Sequence, residues 1–307
     1  MKYSHFCRFL FILPGFLYLS SGFAQENKTV CKLELYNIET KERSVLKEYP
    51  YRIEAPNWTP DGQFLIYNSG GKLYKINLNH PESDEVIPSG FATACNNDHV
   101  LAASGKRIAI SHGTKEDGQS RIYIFPLAGG SPTLITPLAP SYLHGWSPDE
   151  KSLAYCASRH GNYDIYTIPA EGGVETRLTT ADGLDDGPEF SPCGKYIWFN
   201  SLRSGLMQIW RMKTDGSGQT QITFEENKNA WFPHLSPDGA KVVFIAYKKG
   251  DVEPGAHPPG KNVELCLMPA TGGEAEIVVR LFGGQGTINV NSWSPDSKCF
   301  AFVSYLE

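Results

Sequence analysis

A four-residue unit recurs along the chain: TPDG at 59–62, SPDE at 147–150, SPCG at 191–194, SPDG at 236–239 and SPDS at 294–297. AASG at 102–105 stands where a further copy belongs. The second residues fall at 60, 103, 148, 192, 237 and 295, so the steps are 43, 45, 44, 45 and 58, and only the last carries an insertion. A fixed period constrains a fold more than any local pattern, because each copy must be one structural unit that buries its faces against its neighbours. The tetrad itself describes a tight reversal: Ser or Thr opens the turn, Pro presets φ, Asp accepts local backbone N–H groups, and Gly relieves the exit.

After each tetrad come short apolar or alternating runs such as SLAYCAS, YIWFNS and KVVFIAY, then DIYTIPAEGG, QIWRMKTDGS or RIYIFPLAGG, then RLTT, QITF or LITP. These runs are rich in β-branched and aromatic residues and are separated by Gly-rich turns, which predicts three strands. A short apolar strand before the tetrad makes four, A to D. Four antiparallel strands per unit of about 44 residues is the period of a β-propeller blade. The α-solenoid periods lie close by but need long amphipathic helices, which the tetrad prolines would break. The expected fold is therefore all-β, a six-bladed β-propeller. After the sixth tetrad only strand B, CFAFVSY, remains, whereas CKLELYNIETKERSVLKE near the start aligns with the C and D strands of DIYTIPAEGGVETRLTT. The last blade is thus expected to take two strands from each terminus, which removes free sheet edges.

The first 24 residues place Lys2 and Arg8 before an apolar run from Phe9 to Leu19, then small residues up to Ala24. This is the layout of a secretory signal, cleaved near Ala24, and its run is shorter than the roughly twenty residues a spanning helix needs. Residues 25–307 would be the propeller, periplasmic or secreted, without a membrane span and monomeric; an uncleaved anchor is the other reading. The net charge of −5, with Lys and Arg scattered singly, gives no electrostatic footprint for nucleic acid. Export permits disulfides. However, Cys31 and Cys299 fall at opposite ends of one predicted hairpin, about 15–20 Å apart at about 3.3 Å per residue. Cys156 and Cys266 read as buried small hydrophobes.

The SPDG tetrads, the DIY or QIW strands and the LT endings resemble the TolB-like, WD-related propeller repeat of exported bacterial proteins, over nearly all of residues 30–306. The resemblance implies a periplasmic or envelope binding platform. No stretch reads as the amino-terminal α/β domain that accompanies the propeller in the family's name-giving member. Similar propellers precede the catalytic domain of prolyl-oligopeptidase-like enzymes, but the chain has no GxSxG nucleophile elbow, which sets a serine hydrolase aside. The related oligogalacturonate lyases, with a metal and a histidine base in the channel, supply the enzyme alternative: a metal-assisted lyase or hydrolase acting on a saccharide.

In a blade the A-to-B and C-to-D turns share one face, here the regular one with the tetrads. D-to-A connections and B-to-C turns share the other, where every irregular loop collects. Loops on a rigid scaffold are where sites are usually found. Strand A is innermost, so the residues before each tetrad line the channel. Two before its second residue stand Trp58, Leu101, Trp146, Phe190, Leu235 and Trp293, always apolar and so packing. Three or four before it stand Asn57, His99, His144, Glu189, His234 and Asn291, with Asp186, Gln285 and Asn289 in the nearby loops.

The candidate ligand-binding set is His99, His144, Asp186, Glu189, His234, His257, Gln285 and Asn289. The histidines and carboxylates are chemically suited to a divalent metal or to general-base work; equally, propeller channels are wet and lined by mutually satisfied polar groups. His257 sits in the long insertion, a lid over the channel mouth or a solvated loop. Arg159 and Arg203 occupy matching places and read as structural pairing. Trp231, Phe232 and Tyr142 are either a stacking surface or inter-blade packing. The expected function is a binding module for an envelope protein or a small molecule such as a saccharide.

Overall fold

The computed structural model describes residues 31–306; the expected leader, residues 1–24, lies outside the described residues. Strands β1 (Cys31–Asn37) and β2 (Arg43–Tyr49) open the chain. Blade 1 is β3 to β6 (Glu54–Trp58, Phe64–Ser69, Lys72–Asn77, His80–Val86), and blade 2 is β7 to β10 (Cys95–Leu101, Arg107–Gly113, Ser120–Pro126, Thr133–Leu134). Blade 3 is β11 to β14 (Ser141–Trp146, Ser152–Ser158, Tyr163–Pro169, Thr176–Arg177), and blade 4 is β15 to β18 (Asp185–Phe190, Tyr196–Ser201, Gln208–Lys213, Thr220–Gln221). Blade 5 is β19 to β22 (Lys228–Leu235, Lys241–Lys248, Lys261–Pro269, Glu276–Gly283), and β23 (Cys299–Tyr305) ends the chain. The protein is a six-bladed, all-β propeller. No helix among the described residues is long and apolar enough to cross a membrane.

Closure occurs where the repeat phase demands it. Blade 6 has the order β2-β1-β23, and β1 pairs antiparallel with β23 from Cys31↔Tyr305 to Asn37↔Cys299. Cys31 and Cys299 therefore sit at opposite ends of the pairing, and the cysteines of the described residues are free. The innermost strand of blade 6 is reduced to one bridge, Trp293 with Phe300.

The tetrads behave as turns. Ser147 and Ser294 donate their hydroxyls to Asp149 and Asp296, both at 2.6 Å, as Thr59 does to Asp61 at 2.6 Å. Each Asp also accepts a backbone N–H two residues on, from Gln63 at 3.0 Å and Ala240 at 2.9 Å for example. The hydroxyl bonds hold these carboxyls below the usual Asp range.

The core lies between blades, where the two apolar faces of neighbouring sheets meet. Trp198 of blade 4 meets Phe244 and Ala230 of blade 5, while Leu33 and Val303 of blade 6 meet Leu65 and Tyr67 of blade 1. Burial of each large apolar side chain contributes about 1.5–3 kcal/mol.

Each regular innermost strand carries a β-bulge, between Glu54/Asn57, Cys95/His99, Leu143/Gly145, Asp186/Glu189 and Trp231/His234. A bulge re-aims the side chains around it. In three blades the residue five before the tetrad proline has a left-handed backbone: Ala55 (φ 55°), Gly187 (φ 61°) and Phe232 (φ 54°). Glycine adopts this conformation freely; a bulky residue does so at a cost of about 1–3 kcal/mol. Phe232 is held there by its N–H bond to Asn200 Oδ1 at 3.1 Å and by burial of its ring. A Cβ on Gly187 would stand 2.9 Å from Phe232 Cδ1, so the glycine clears room for that ring.

Deleting residues 30–47 strips β1 and β2 from blade 6 and leaves β23 as a bare edge. The expected result is loss of the cooperative thermal transition and concentration-dependent association, read by calorimetry and light scattering.

Candidate functional site

The channel opens on the irregular face into a cavity of about 310 Å³. Of the residues expected at the axis, His144, Asp186, His257, Gln285 and Asn289 line it, together with Asn96, Asp98, Tyr142, Cys156, Tyr163, Leu184 and Phe232. Glu189 lines instead the opposite, tetrad-side opening, about 380 Å³, whose wall is built from Trp58, Trp146, Trp293 and the tetrad prolines. His99 and His234 line neither.

His144 and Asp186 form the buried polar centre of the cavity. His144 Nε2 lies 3.1 Å from Asp186 Oδ1, and the His144 ring stacks on Phe232 at 5.6 Å between centroids. Burial alone would lower the His144 pKa. The hydrogen bond and charge of Asp186, helped by Asp98 and Glu189, outweigh burial and raise it. Burial pushes Asp186 up, but His144, His257 and the Gly187 N–H at 2.8 Å bring its pKa below the usual range. The two shifts run in opposite directions, each favouring the charged form, as they must for an ion pair.

His234 is spent elsewhere. Its Nε2 donates to the Ile288 carbonyl at 2.8 Å and its Nδ1 meets Glu189 Oε2 at 2.8 Å. Glu189 Oε1 accepts from the Leu235 N–H at 2.9 Å and from Asn291 Nδ2 at 2.7 Å. This network ties blades 4, 5 and 6 together, and its fully used donors and acceptors leave little for a ligand. His99 is wholly buried with neither ring nitrogen bonded. Burial pulls its pKa down to about 4.

Asp98, not His99, reaches the cavity from blade 2. Its Oδ2 accepts from Asn96 Nδ2 and its Oδ1 from Asn289 Nδ2, both at 2.7 Å. His99 and His144 occupy the same place relative to their tetrads, yet the bulges differ. His144 lies inside its bulge, between paired Leu143 and Gly145, whereas His99 lies past its bulge and pairs with Ile110. Because side chains alternate along a strand, a shift of one residue turned the histidine away and the aspartate inward. The one signal in the sequence was the adjacent carboxylate, Asp98, in NNDH.

The insertion of blade 5 folds over this opening. His257 lies on Trp231 at 4.2 Å and edge-on to Phe232 at 5.2 Å between centroids, with its Nδ1 unpartnered. Burial lowers its pKa. The Pro258 carbonyl accepts from Tyr247 Oη at 3.1 Å and from the Gln285 N–H at 3.4 Å, which pins the insertion to the loop of blade 6.

A family profile described as the TolB beta propeller domain matches residues 101–258. An uncharacterized protein of Agrobacterium fabrum is 48% identical over 274 residues, 89% of this chain and 92% of its own length. The chain belongs to the TolB-like β-propeller family. A solved structure from Agrobacterium tumefaciens, provisionally called TolB, superposes with a TM-score of 0.87 at 47% identity, covering 91% of this chain and 99% of the other. The Tol-Pal system protein TolB of Francisella tularensis is 26% identical over 66% of this chain, which spans only 47% of that relative. An oligogalacturonate lyase in complex with manganese shares the fold, with a TM-score of 0.58 at 16% identity over 90% of this chain and 83% of the lyase.

In this TolB-like propeller no group of three or more His, Cys, Asp or Glu among the described residues is arranged to hold a metal ion. The histidines of blades 2, 3 and 5 do not meet: His99 is enclosed, His144 is paired with Asp186 and His234 with Glu189. Trp231 is a core residue, whereas Phe232 and Tyr142 do face the cavity. Arg159 bonds Glu175 at 2.8 Å and the Pro140 carbonyl at 2.7 Å, and Arg203 bonds Asp185 at 2.8 Å, so both arginines are structural ties.

Asp186→Asn should drop the His144 pKa, read from its imidazole proton shifts. Breaking the buried pair costs about 3 kcal/mol. The His144 contribution is complete below its unfolded pKa near ~6.5 and fades as pH rises through its raised folded value; that of Asp186 is present above ~3.9 and fades as pH falls through its lowered folded value. The gap in denaturation free energy between wild type and variant is therefore widest from about pH 4 to 6.5. Separately, a Cβ on Gly284 (φ 122°) would stand 2.2 Å from the Pro258 carbonyl oxygen. Gly284→Ala should cost about 1–3 kcal/mol and speed amide exchange at Gly255, Ala256, His257 and Gly260.

Proposed function

We propose that this chain is an exported binding module whose ligand enters the channel mouth on the irregular loop face and meets His144, Asp186, His257, Gln285 and Asn289. The observation that carries this reading is the 310 Å³ cavity whose lining includes Asn289 and His257, each with a buried polar atom, Oδ1 and Nδ1, that has no partner within the protein. Buried polar groups are almost always satisfied, and a concave pocket with a few convergent polar groups is the common form of a ligand site. Aromatic walls of Tyr142, Tyr163 and Phe232 supply apolar contact area. Export is supported by the leader-like first 24 residues. The Tol-Pal name of a relative supports an envelope protein as partner, with a small molecule such as a saccharide as the other occupant of the same site. His99, Glu189 and His234 act in this reading as parts of the scaffold.

A photo-reactive amino acid at Tyr163, on the rim, should give adducts with a discrete envelope component in intact cells, whereas one at Asp149 on the tetrad face should give none. Adducts from both positions alike, or from Asp149 alone, would sink the assignment of the binding face. The enzyme alternative is tested on the same purified protein: incubation with oligogalacturonate and manganese should produce no unsaturated product absorbing in the ultraviolet. Turnover abolished by His144→Ala would overturn the binding-module reading.

A further inference from the structure

Acceptors dominate the inside of the cavity. Two carboxylates, Asp98 and Asp186, face it, and Asn289, only 2% exposed, turns its Nδ2 to Asp98 and leaves Oδ1 free. His257 Nδ1 is free as well. His144 is the one cationic partner available, and its hydrogen bond is committed to Asp186 at 3.1 Å. Asp98 receives only neutral amide donors, from Asn96 and Asn289. Asp98 thus has no charged partner within hydrogen-bond reach and feels His144 only past that ring's bond to Asp186. It lies beside residues with an unfilled amide oxygen and an unfilled imidazole nitrogen, between aromatic walls that favour a cation over their faces.

We infer that the cavity recognises a monocation rich in N–H donors, an alkylguanidinium, seated against Asp98 with its remaining N–H groups directed to Asn289 Oδ1 and His257 Nδ1. A guanidinium is planar, carries five donors and stacks on aromatic rings, whereas an ammonium offers three donors at a point. The volume of about 310 Å³ is at the low end for ligand pockets and suits one such side chain rather than a folded segment. Burial pushes the Asp98 carboxyl up, and the His144 charge and the two amide bonds offset only part of that; a bound cation beside it favours the ionised form further. An anionic sugar, by contrast, would meet two carboxylates with a single cationic partner already engaged. The inference rests on the channel mouth being the binding site and adds the chemistry of its ligand.

Isothermal titration of the mature protein with n-butylguanidinium, n-butylammonium and butyrate tests it. The expected order is guanidinium tightest, ammonium about tenfold weaker, and butyrate without binding. Asp98→Asn should weaken butylguanidinium at least about tenfold, with folding checked by the thermal transition. Because that variant also alters a buried network, the wild-type protein gives a second reading: butylguanidinium should shift the imidazole resonances of His144 and His257 and leave those of His234 in place. Butylguanidinium binding no tighter than butyrate, or shifts confined to His234, would overturn the inference. If it fails while Tyr163 adducts persist, the cation chemistry falls and the binding face stands. Two further ligands separate sources: N-acetyl-L-arginine N-methylamide binding tighter than free L-arginine assigns the cation to a protein partner, and the reverse order to a free metabolite, each with the guanidinium site retained.

Discussion

The pairing of β1 with β23 is the contact on which the ring depends. Five blades assemble from contiguous sequence, but the sixth exists only when residues 31–37 meet residues 299–305. These are the most distant strands in the chain, so their loop-closure entropy is among the largest in the fold, although that cost grows only slowly with length. The return is that each contact between neighbouring blades holds its own apolar cluster, the one between blades 6 and 1 included. The central channel and its two openings are by-products of that closure.

What reaches the channel is decided by the bulges. A plain strand would present alternate residues to the axis, but each innermost strand slips by a residue or two before its tetrad. The slip brings Asp98, Asp186 and Phe232 to one opening, sends Glu189 toward the other and leaves His144 bordering both. Phe232 shows the conformational cost of the arrangement: its left-handed backbone is unfavourable for a bulky residue, yet its ring touches both His144 and His257. Strain of this kind persists where surrounding contacts over-determine it, here the Asn200 bond and the room left by Gly187.

The repeat made the fold legible. The tetrad phase fixed blade number, strand order and the shared sixth blade, because turn chemistry and hydrophobic alternation are local properties that sequence records directly. The site was legible only by face. Counting from the tetrad gives His144, the loops before the tetrads give Asp186, Gln285 and Asn289, and the long insertion gives His257, and all five line the loop-side opening. His99 and Asp98 were exchanged because counting assumes equal pleats, and a bulge before His99 but around His144 has no distinct residue signature in NNDHVL or SYLHGW. His234 differs again, since its partners, Glu189 and the carbonyl of Ile288, come from neighbouring blades 45 and 54 residues away. Pairings of that kind depend on how blades are turned against one another, which no local pattern encodes.

The single bridge at Trp293 leaves the inner wall of blade 6 as a loop rather than a strand. Gln285 and Asn289 therefore hold their places by loop conformation, not by ladder register. One sixth of the channel wall is thus a loop held by scattered bonds, such as Val303 N–H to the Thr287 carbonyl, and not by a continuous ladder. Side-chain changes at Gln285 and Asn289 would alter the groups presented at the axis while keeping the backbone bonds of Thr287 to Val303 and of Ile288 to His234, which opens this wall to retuning for a different ligand.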